Sequence, residues 1–174
     1  MCPSCAELNY SKRMQTADLS GKIAVLTGSR VKIGFRVALK LLRCGATLIA
    51  TSRFPRDAAD RFAREFDYAQ WSDRLHIVGL DLRDLVALEH FTKMMHLKFG
   101  SLDIIINNAC QTVRRPRAYY APQVAKEEEL QHSAATATVL ALHDEIEQSL
   151  HGTHRLLLQQ HTPGGSVDGG GREG

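Results

Sequence analysis

From Lys22 onward, apolar runs of strand length alternate with segments of helical period, and no other feature constrains the chain as much. A strand buried on both faces reads as an unbroken apolar run, whereas an amphipathic helix repeats every 3.6 residues. Their alternation is the signature of a parallel sheet wound through crossover helices. The runs predict strands at Ile23 to Thr27, Thr47 to Ser52, Leu75 to Leu80 and Leu102 to Asn107. A helix is expected from about Ile33 to Cys44, with Phe35, Ala38, Leu41 and Leu42 on one face and Gly45 ending it in a left-handed conformation. A second follows Pro55, with Asp57 placed to cap it and Ala58, Phe62 and Phe66 recurring at helical spacing. A third starts at the cap Asp84, carries Val86, Leu88, Phe91, Met95 and Phe99, and stops at Gly100. Four strands and three crossovers make one half of a doubly wound α/β sheet, a partial Rossmann fold.

The strand signal stops at Pro122. Val124 to about Gln160 predicts one long or broken helix, with Leu130, Ala134, Ala137, Ala141, Leu150 and Leu157 in register and Gly152 as the break. The last stretch, TPGGSVDGGGREG, has only Val167 to anchor it and is expected to be a flexible tail. The expected organisation is an N-terminal extension over 1–20, the α/β half over 21–122, a helical segment over 123–161 and a tail over 162–174.

With 44% hydrophobic and 24% charged residues, the chain has the composition of a globular domain, which excludes a coiled coil, a collagen and a wholly disordered protein. The net charge of +3 is spread along the chain without a long basic run, which argues against nucleic acid as a partner. No apolar stretch approaches the ~20 residues needed to cross a bilayer, and the N-terminus lacks the apolar core of a secretory signal. Cys2, Cys5, Cys44 and Cys110 suggest no disulfide framework, so a reducing, cytoplasmic setting is expected.

Chemistry first enters between the first strand and its helix, in TGSRVKIG. Gly28 and Gly34 bracket a tight turn that opens a helix, with Ser29, Arg30, Lys32 and Ile33 between them. Glycine there lets backbone approach a pyrophosphate, and a helix N-terminus offers it unpaired N–H groups and partial positive charge. A dinucleotide cofactor is therefore the expected ligand.

TGSRVKIG resembles the TGxxxGxG of the short-chain dehydrogenase/reductase family, GLDLRD its adenine-contacting acid segment, and DIIINNA its NNAG. Together with TSRFPRDAA and NNACQTVRRP these segments resemble one branch of that family, from about Cys2 to Tyr120. The resemblance implies that Asp81 accepts from an adenine amino group with Leu82 against the ring, although Asp81 also reads as a plain turn residue. It further implies that Asn107, Asn108 and Ala109 tie the fourth strand to its neighbours under the cofactor, Asn107 being structural more than catalytic. Lys32 stands where the family has its middle glycine, and Cys110 where NNAG ends.

In such folds an acid at the end of the second strand binds the ribose hydroxyls of NAD, whereas an arginine accommodates the 2′-phosphate of NADP. Here that strand ends in Ser52 and Arg53 with no acid, and Arg30 is placed to add a second guanidinium. NADP is the expected cofactor, with NAD as the other possibility and a merely solvated Arg53 as the plain alternative. The family's chemistry also needs a proton-passing tyrosine, a lysine four residues later and a serine. No Tyr-x-x-x-Lys occurs, because Tyr10, Tyr68, Tyr119 and Tyr120 are followed four places on by Met14, Ser72, Gln123 and Val124.

The expected function is therefore an NADP(H)-binding oxidoreductase-family chain, truncated before the catalytic half and inactive alone. The rival is a non-enzymatic interaction or regulatory chain that forms a homo-oligomer or pairs with a full-length relative, through an exposed fourth-strand edge or the C-terminal helix. Cys2 and Cys5 resemble the second half of a four-cysteine zinc site whose first pair lies upstream; within this chain they read as two unpaired thiols. Arg114, Arg115 and Arg117 read either as the substrate side of the fold or as a solvated loop, and His143, His151, His154 and His161 as surface residues.

Overall fold

The computed structural model describes residues 2–110, 115–130 and 134–160, the last nine by backbone alone. Arg114, the side chain of His154, His161 and the expected tail lie outside the described residues. The elements run α1 (Pro3–Met14), β1 (Ile23–Thr27), α2 (Lys32–Arg43), β2 (Thr47–Ser52), α3 (Pro55–Ala63), β3 (Leu75–Gly79), α4 (Leu85–Phe99), β4 (Ile104–Ile106), α5 (Arg117–Glu129) and α6 (Ala134–Gln160). The four strands form one parallel sheet in the order β3-β2-β1-β4, so the chain reverses direction of travel across the sheet between β1 and β4.

Two apolar layers hold the sheet. On one face Ala24, Leu26, Leu48 and Ile77 pack with Ala38, Leu39 and Leu42 of α2 and with Phe62 and Trp71. Trp71, which the sequence pattern did not single out, is buried edge-on between Phe62 and Tyr68, with ring centroids 6.1 and 5.3 Å away. On the other face Val25, Ile49 and Val78 meet Phe91 and Met95 of α4. Gly45 and Gly100 take positive φ after α2 and α4, and Asp84 caps α4 by accepting from the Ala87 N–H, as expected. Val86, placed on the inner face by its spacing, is instead exposed, because the helix turns its first turn to solvent.

Three further expectations change. Helix α3 ends at Ala63, so Phe66 lies beyond it and is 91% exposed. Asp57 is buried inside α3 and is no cap. The C-terminal segment is two helices that part around Leu130, α5 starts before Pro122, and the backbone of α6 continues through Gly152.

Helix α6 also buries a different face. Ala134, Ala137 and Ala141 are exposed, while Thr136, Val139, Leu140, Leu142, His143 and Ile146 are buried. Val139 and Leu140 join the layer around Phe62 and Trp71, and Leu142 and Ile146 join the layer around Phe91 and Met95. A helix that contributes to both layers runs along the free edge of β3 and closes it against solvent. The opposite edge, β4, pairs with β1 alone among the described residues, and Ile105 is 63% exposed.

His143 is accordingly not a surface residue. In a parallel ladder alternate residues point to opposite sides; Leu80 N–H donates to Ser52 of β2, so Gly79 N–H points outward, where it donates to His143 Nδ1 at 3.4 Å. A Cβ on Gly79 would come within 2.7 Å of the His143 ring, so glycine is what admits the imidazole. Burial pushes the His143 pKa down, with Arg56 acting the same way and Glu147, Asp144 and Glu127 against it. His76, beside Lys98, is lowered for the same leading reason.

The fold therefore prefers both imidazoles neutral. Between the folded values and the ordinary value of about 6.5 the unfolded chain binds more protons, so stability is full above that range and falls as pH drops through it. Urea midpoints are expected to fall from pH 7.5 to pH 5.5, and less steeply in His143→Gln, which keeps an acceptor for Gly79 without a titrating ring. Equal slopes in the two proteins would refute the assignment to His143.

Candidate functional site

The carboxyl ends of β1 and β4 flank the point where the sheet order reverses, the position at which open α/β sheets bind ligands. A cleft of about 660 Å³ opens there, lined by the β1–α2 loop, the ends of β2 and β3, the segment after β4 and Tyr120 of α5. Gly28, Arg30, Lys32, Ile33, Gly34, Ser52, Arg53, Asp81, Leu82, Asn108 and Ala109 all line it, so most expected site residues converge. Ser29 and Asn107 do not line it: Ser29 is buried with its N–H and Oγ on Thr51 O, and Asn107 is exposed at the end of β4.

The loop's shape rests on two glycines and an asparagine. Gly28 has φ 71°, where L side chains are strained, and its N–H donates to Thr51 O. At Gly34 a Cβ would lie 2.1 Å from Gly28 O and 2.6 Å from Asn108 Nδ2. Asn108 Nδ2 donates to Thr27 O and Gly28 O at 3.0 and 3.1 Å, lacing β4 to the loop. Thr27, which sequence reasoning passed over, accepts at its Oγ1 from the N–H groups of Asn108 and Ala109. A hydroxyl at the last position of an otherwise apolar strand was the available signal. Lys32, in the place of the family glycine, carries φ 54°, the conformation that glycine adopts without strain.

No side chain caps the N-terminus of α2, whose first amides border the cleft. Such a terminus suits an anion. Across the cleft Asp81 is held by Arg83 through Nε and Nη2, and this pairing lowers its pKa, burial acting against it and Arg53 with it. Leu82 presents a half-exposed apolar face beside it.

The two arginines are placed differently. Arg53 is exposed at the end of β2, its guanidinium 5.7 Å from the Phe54 ring and 4.8 Å from the Tyr120 ring. Arg30 turns away from the cleft's centre, pairing with Asp57 at 2.6 Å and donating to Gln123 Oε1 at 3.1 Å. Asp57 is fully buried and also pairs with Arg61 and Lys126. Burial alone would raise its pKa, yet Lys126, Arg30 and Arg61 hold it well below the usual carboxylate range.

The N-terminal cysteines stand apart from the cleft. Cys2 precedes α1 and Cys5 lies one turn on, both exposed, with Cys2 Sγ 3.3 Å from Ser4 Oγ. That contact, together with hydrogen bonding from Cys5, lowers the Cys2 thiol to about 7. Among the described residues no three histidines, cysteines or acids gather as a metal site. None of their helices is long and apolar enough to cross a membrane.

Comparison with known protein families matches residues 22–148 to the short chain dehydrogenases. The chain belongs to that family. An uncharacterized protein of Acanthamoeba polyphaga mimivirus is 34% identical over 117 residues, 64% of this chain and 25% of its own length. The (+)-neomenthol dehydrogenase of Capsicum annuum is 32% identical over 92 residues, 52% of this chain and 29% of its own. The solved menthone neomenthol reductase of Mentha piperita is 28% identical, with a TM-score of 0.48 over 62% of this chain and 38% of that one. The chain thus spans between a quarter and a third of the length of these two curated relatives.

Proposed function

We propose that this short chain dehydrogenase chain binds NADP(H) in the β1–α2 cleft and does not turn substrate over by itself. The observation that carries the reading is the end of β2, where Arg53 faces a cleft already bordered by the Gly28–Gly34 loop and no acid stands to receive ribose hydroxyls. The residues fit the cofactor in two further respects. Gly34 lets the first turn of α2 pack against Gly28 O, which a Cβ would strike at 2.1 Å, and the uncapped amides of α2 meet the charge of a pyrophosphate. Asp81 would accept from the adenine amine with Leu82 beneath the ring, and Asn108, through Thr27 and Gly28, would hold the floor in shape.

When bound, the nicotinamide supplies or receives a hydride, which in this family passes to or from a carbonyl or alcohol. The chain's residues include no Tyr-x-x-x-Lys to carry the accompanying proton. A missing general acid typically costs 10²–10⁴-fold in rate. NADPH oxidation with aldehydes or ketones is therefore expected at background, and steady turnover lost in Gly34→Asp would overturn that half of the proposal.

Titration calorimetry tests the binding half. NADPH is expected to bind more tightly than NADH, and Arg53→Ala to narrow the gap by about 1–3 kcal/mol, the typical value of a charge-assisted hydrogen bond. A preference that survives in Arg53→Ala, in Arg30→Ala and in their double variant would show that other residues read the 2′-phosphate.

A further inference from the structure

Helix α3 starts at Pro55, and no side chain of its own caps it. The cap comes from α5, seventy residues away: Glu127 accepts from the Arg56 N–H through Oε1 at 2.5 Å and from the Asp57 N–H through Oε2 at 2.9 Å. The same helix engages the neighbouring cations. Gln123 Oε1 accepts from Arg30, Lys126 pairs with Asp57, and the Tyr120 ring lies under Arg53. A carboxylate thus sits on a helix N-terminus with Arg56 beside it and Arg53 lining the same pocket, surroundings that would equally suit a phosphate monoester.

We propose that α5 is a strap across the 2′-phosphate subsite, with Glu127 as a tethered anion that competes with the cofactor's 2′-phosphate and so sets the preference between NADPH and NADH. The inference rests on the cofactor reading above and adds its regulation. For a phosphate to collect Arg53, that guanidinium must leave the Tyr120 ring, so the strap must lift; Arg30 loses Gln123 in the same movement and keeps its pair with Asp57 of α3. NADH, lacking that phosphate, does not ask Arg53 to move. The strap is also imperfectly satisfied, because Gln123 Nε2 is buried without a hydrogen-bond partner among the described residues. Its lifting releases that donor to water.

The test uses the full chain and the variant Glu127→Gln, which keeps the shape and removes the charge, with Gln123→Ala as a second variant that leaves Glu127 in place. Two measurements are made: hydrogen exchange at the Arg56 and Asp57 amides, and calorimetric titration with NADPH and NADH. In the unaltered chain the two amides are expected to be protected; in Glu127→Gln they exchange faster, NADPH affinity rises about tenfold, as for one charge-assisted contact removed, and NADH affinity stays within about twofold. Gln123→Ala is expected to move NADPH affinity in the same direction.

NADPH affinity equal in all three proteins, or amides unprotected in the unaltered chain, overturns the strap and leaves the cofactor reading standing. A rise shared equally by NADH overturns the competition with the 2′-phosphate. Folded protein that binds neither nucleotide with or without Glu127 overturns the cofactor reading, and the strap with it.

Discussion

Gly34→Asp is expected to abolish dinucleotide binding, with affinity for NADPH and NADH lowered beyond calorimetric detection. The first cause is steric and independent of the new charge. A Cβ at position 34 would sit 2.1 Å from Gly28 O and 2.6 Å from Asn108 Nδ2, and the first of these is backbone that no rotamer change can move. Relief requires Gly28 O to withdraw, and that breaks the hydrogen bond it accepts from Asn108 Nδ2. The second cause is electrostatic, because a carboxylate in the first turn of α2 offers the pyrophosphate a like charge where it would meet free amides. Gly34→Ala separates the two, since it brings the clash without the charge. Its stability cost is expected at about 1–3 kcal/mol, the usual range for inserting atoms into filled space. Circular dichroism on both variants checks that the fold persists. Binding by folded Gly34→Asp at the unaltered affinity would show that the cofactor does not use this loop.

Leu140→Ala is expected to destabilise the protein by about 2–5 kcal/mol, against a total stability on the order of 5–15 kcal/mol for a domain of this kind. Leu140 is 1% exposed and packs into the layer that holds Phe62, Trp71 and Ile77, so truncation leaves a cavity lined on both sides by rigid groups. The loss also weakens the cover of the β3 edge, where the Gly79 N–H depends on His143, one turn further along the same helix. Ala137→Ser, on the exposed face of α6, is the matched control and is expected to stay within about 0.5 kcal/mol. Urea denaturation of the three proteins decides the matter. If Leu140→Ala matched the control, α6 would be ornamental to the sheet, and the packing that assigns it to both apolar layers would be wrong.

The two variants sit on opposite sides of what could be read from residues in order. The glycine of the first was legible from TGSRVKIG, a turn between an unbroken apolar run and an amphipathic repeat. The leucine of the second was not: spacing alone put Leu130, Ala134, Ala137 and Ala141 on the inner face of the last helix. Alanine is compatible with either side of a helix, so a row of alanines does not choose a face. Here the face was chosen by Val139, Leu140, Leu142 and Ile146, which serve two layers at once and so span a wider arc than one stripe. Phe66 misled for the opposite reason, since its spacing from Phe62 continued a helix that had already ended at Ala63.

Sequence by itself determined the four parallel strands, the order of the crossovers, the glycines at the helix ends, and the cleft residues Gly28, Arg30, Lys32, Ile33 and Gly34 with Ser52, Arg53, Asp81, Leu82, Asn108 and Ala109. These follow from periodicity and turn chemistry, which are written in neighbouring residues. Tertiary structure alone decided which partners the polar groups took. Arg30 meets Asp57 across 27 positions and Gln123 across 93, and Gly79 meets His143 across 64. A cation or an imidazole has several chemically suitable partners along the chain, and only the folded distances select among them; burial then decides how strongly each is held, because low polarity makes an unpaired group costly and a paired one firm.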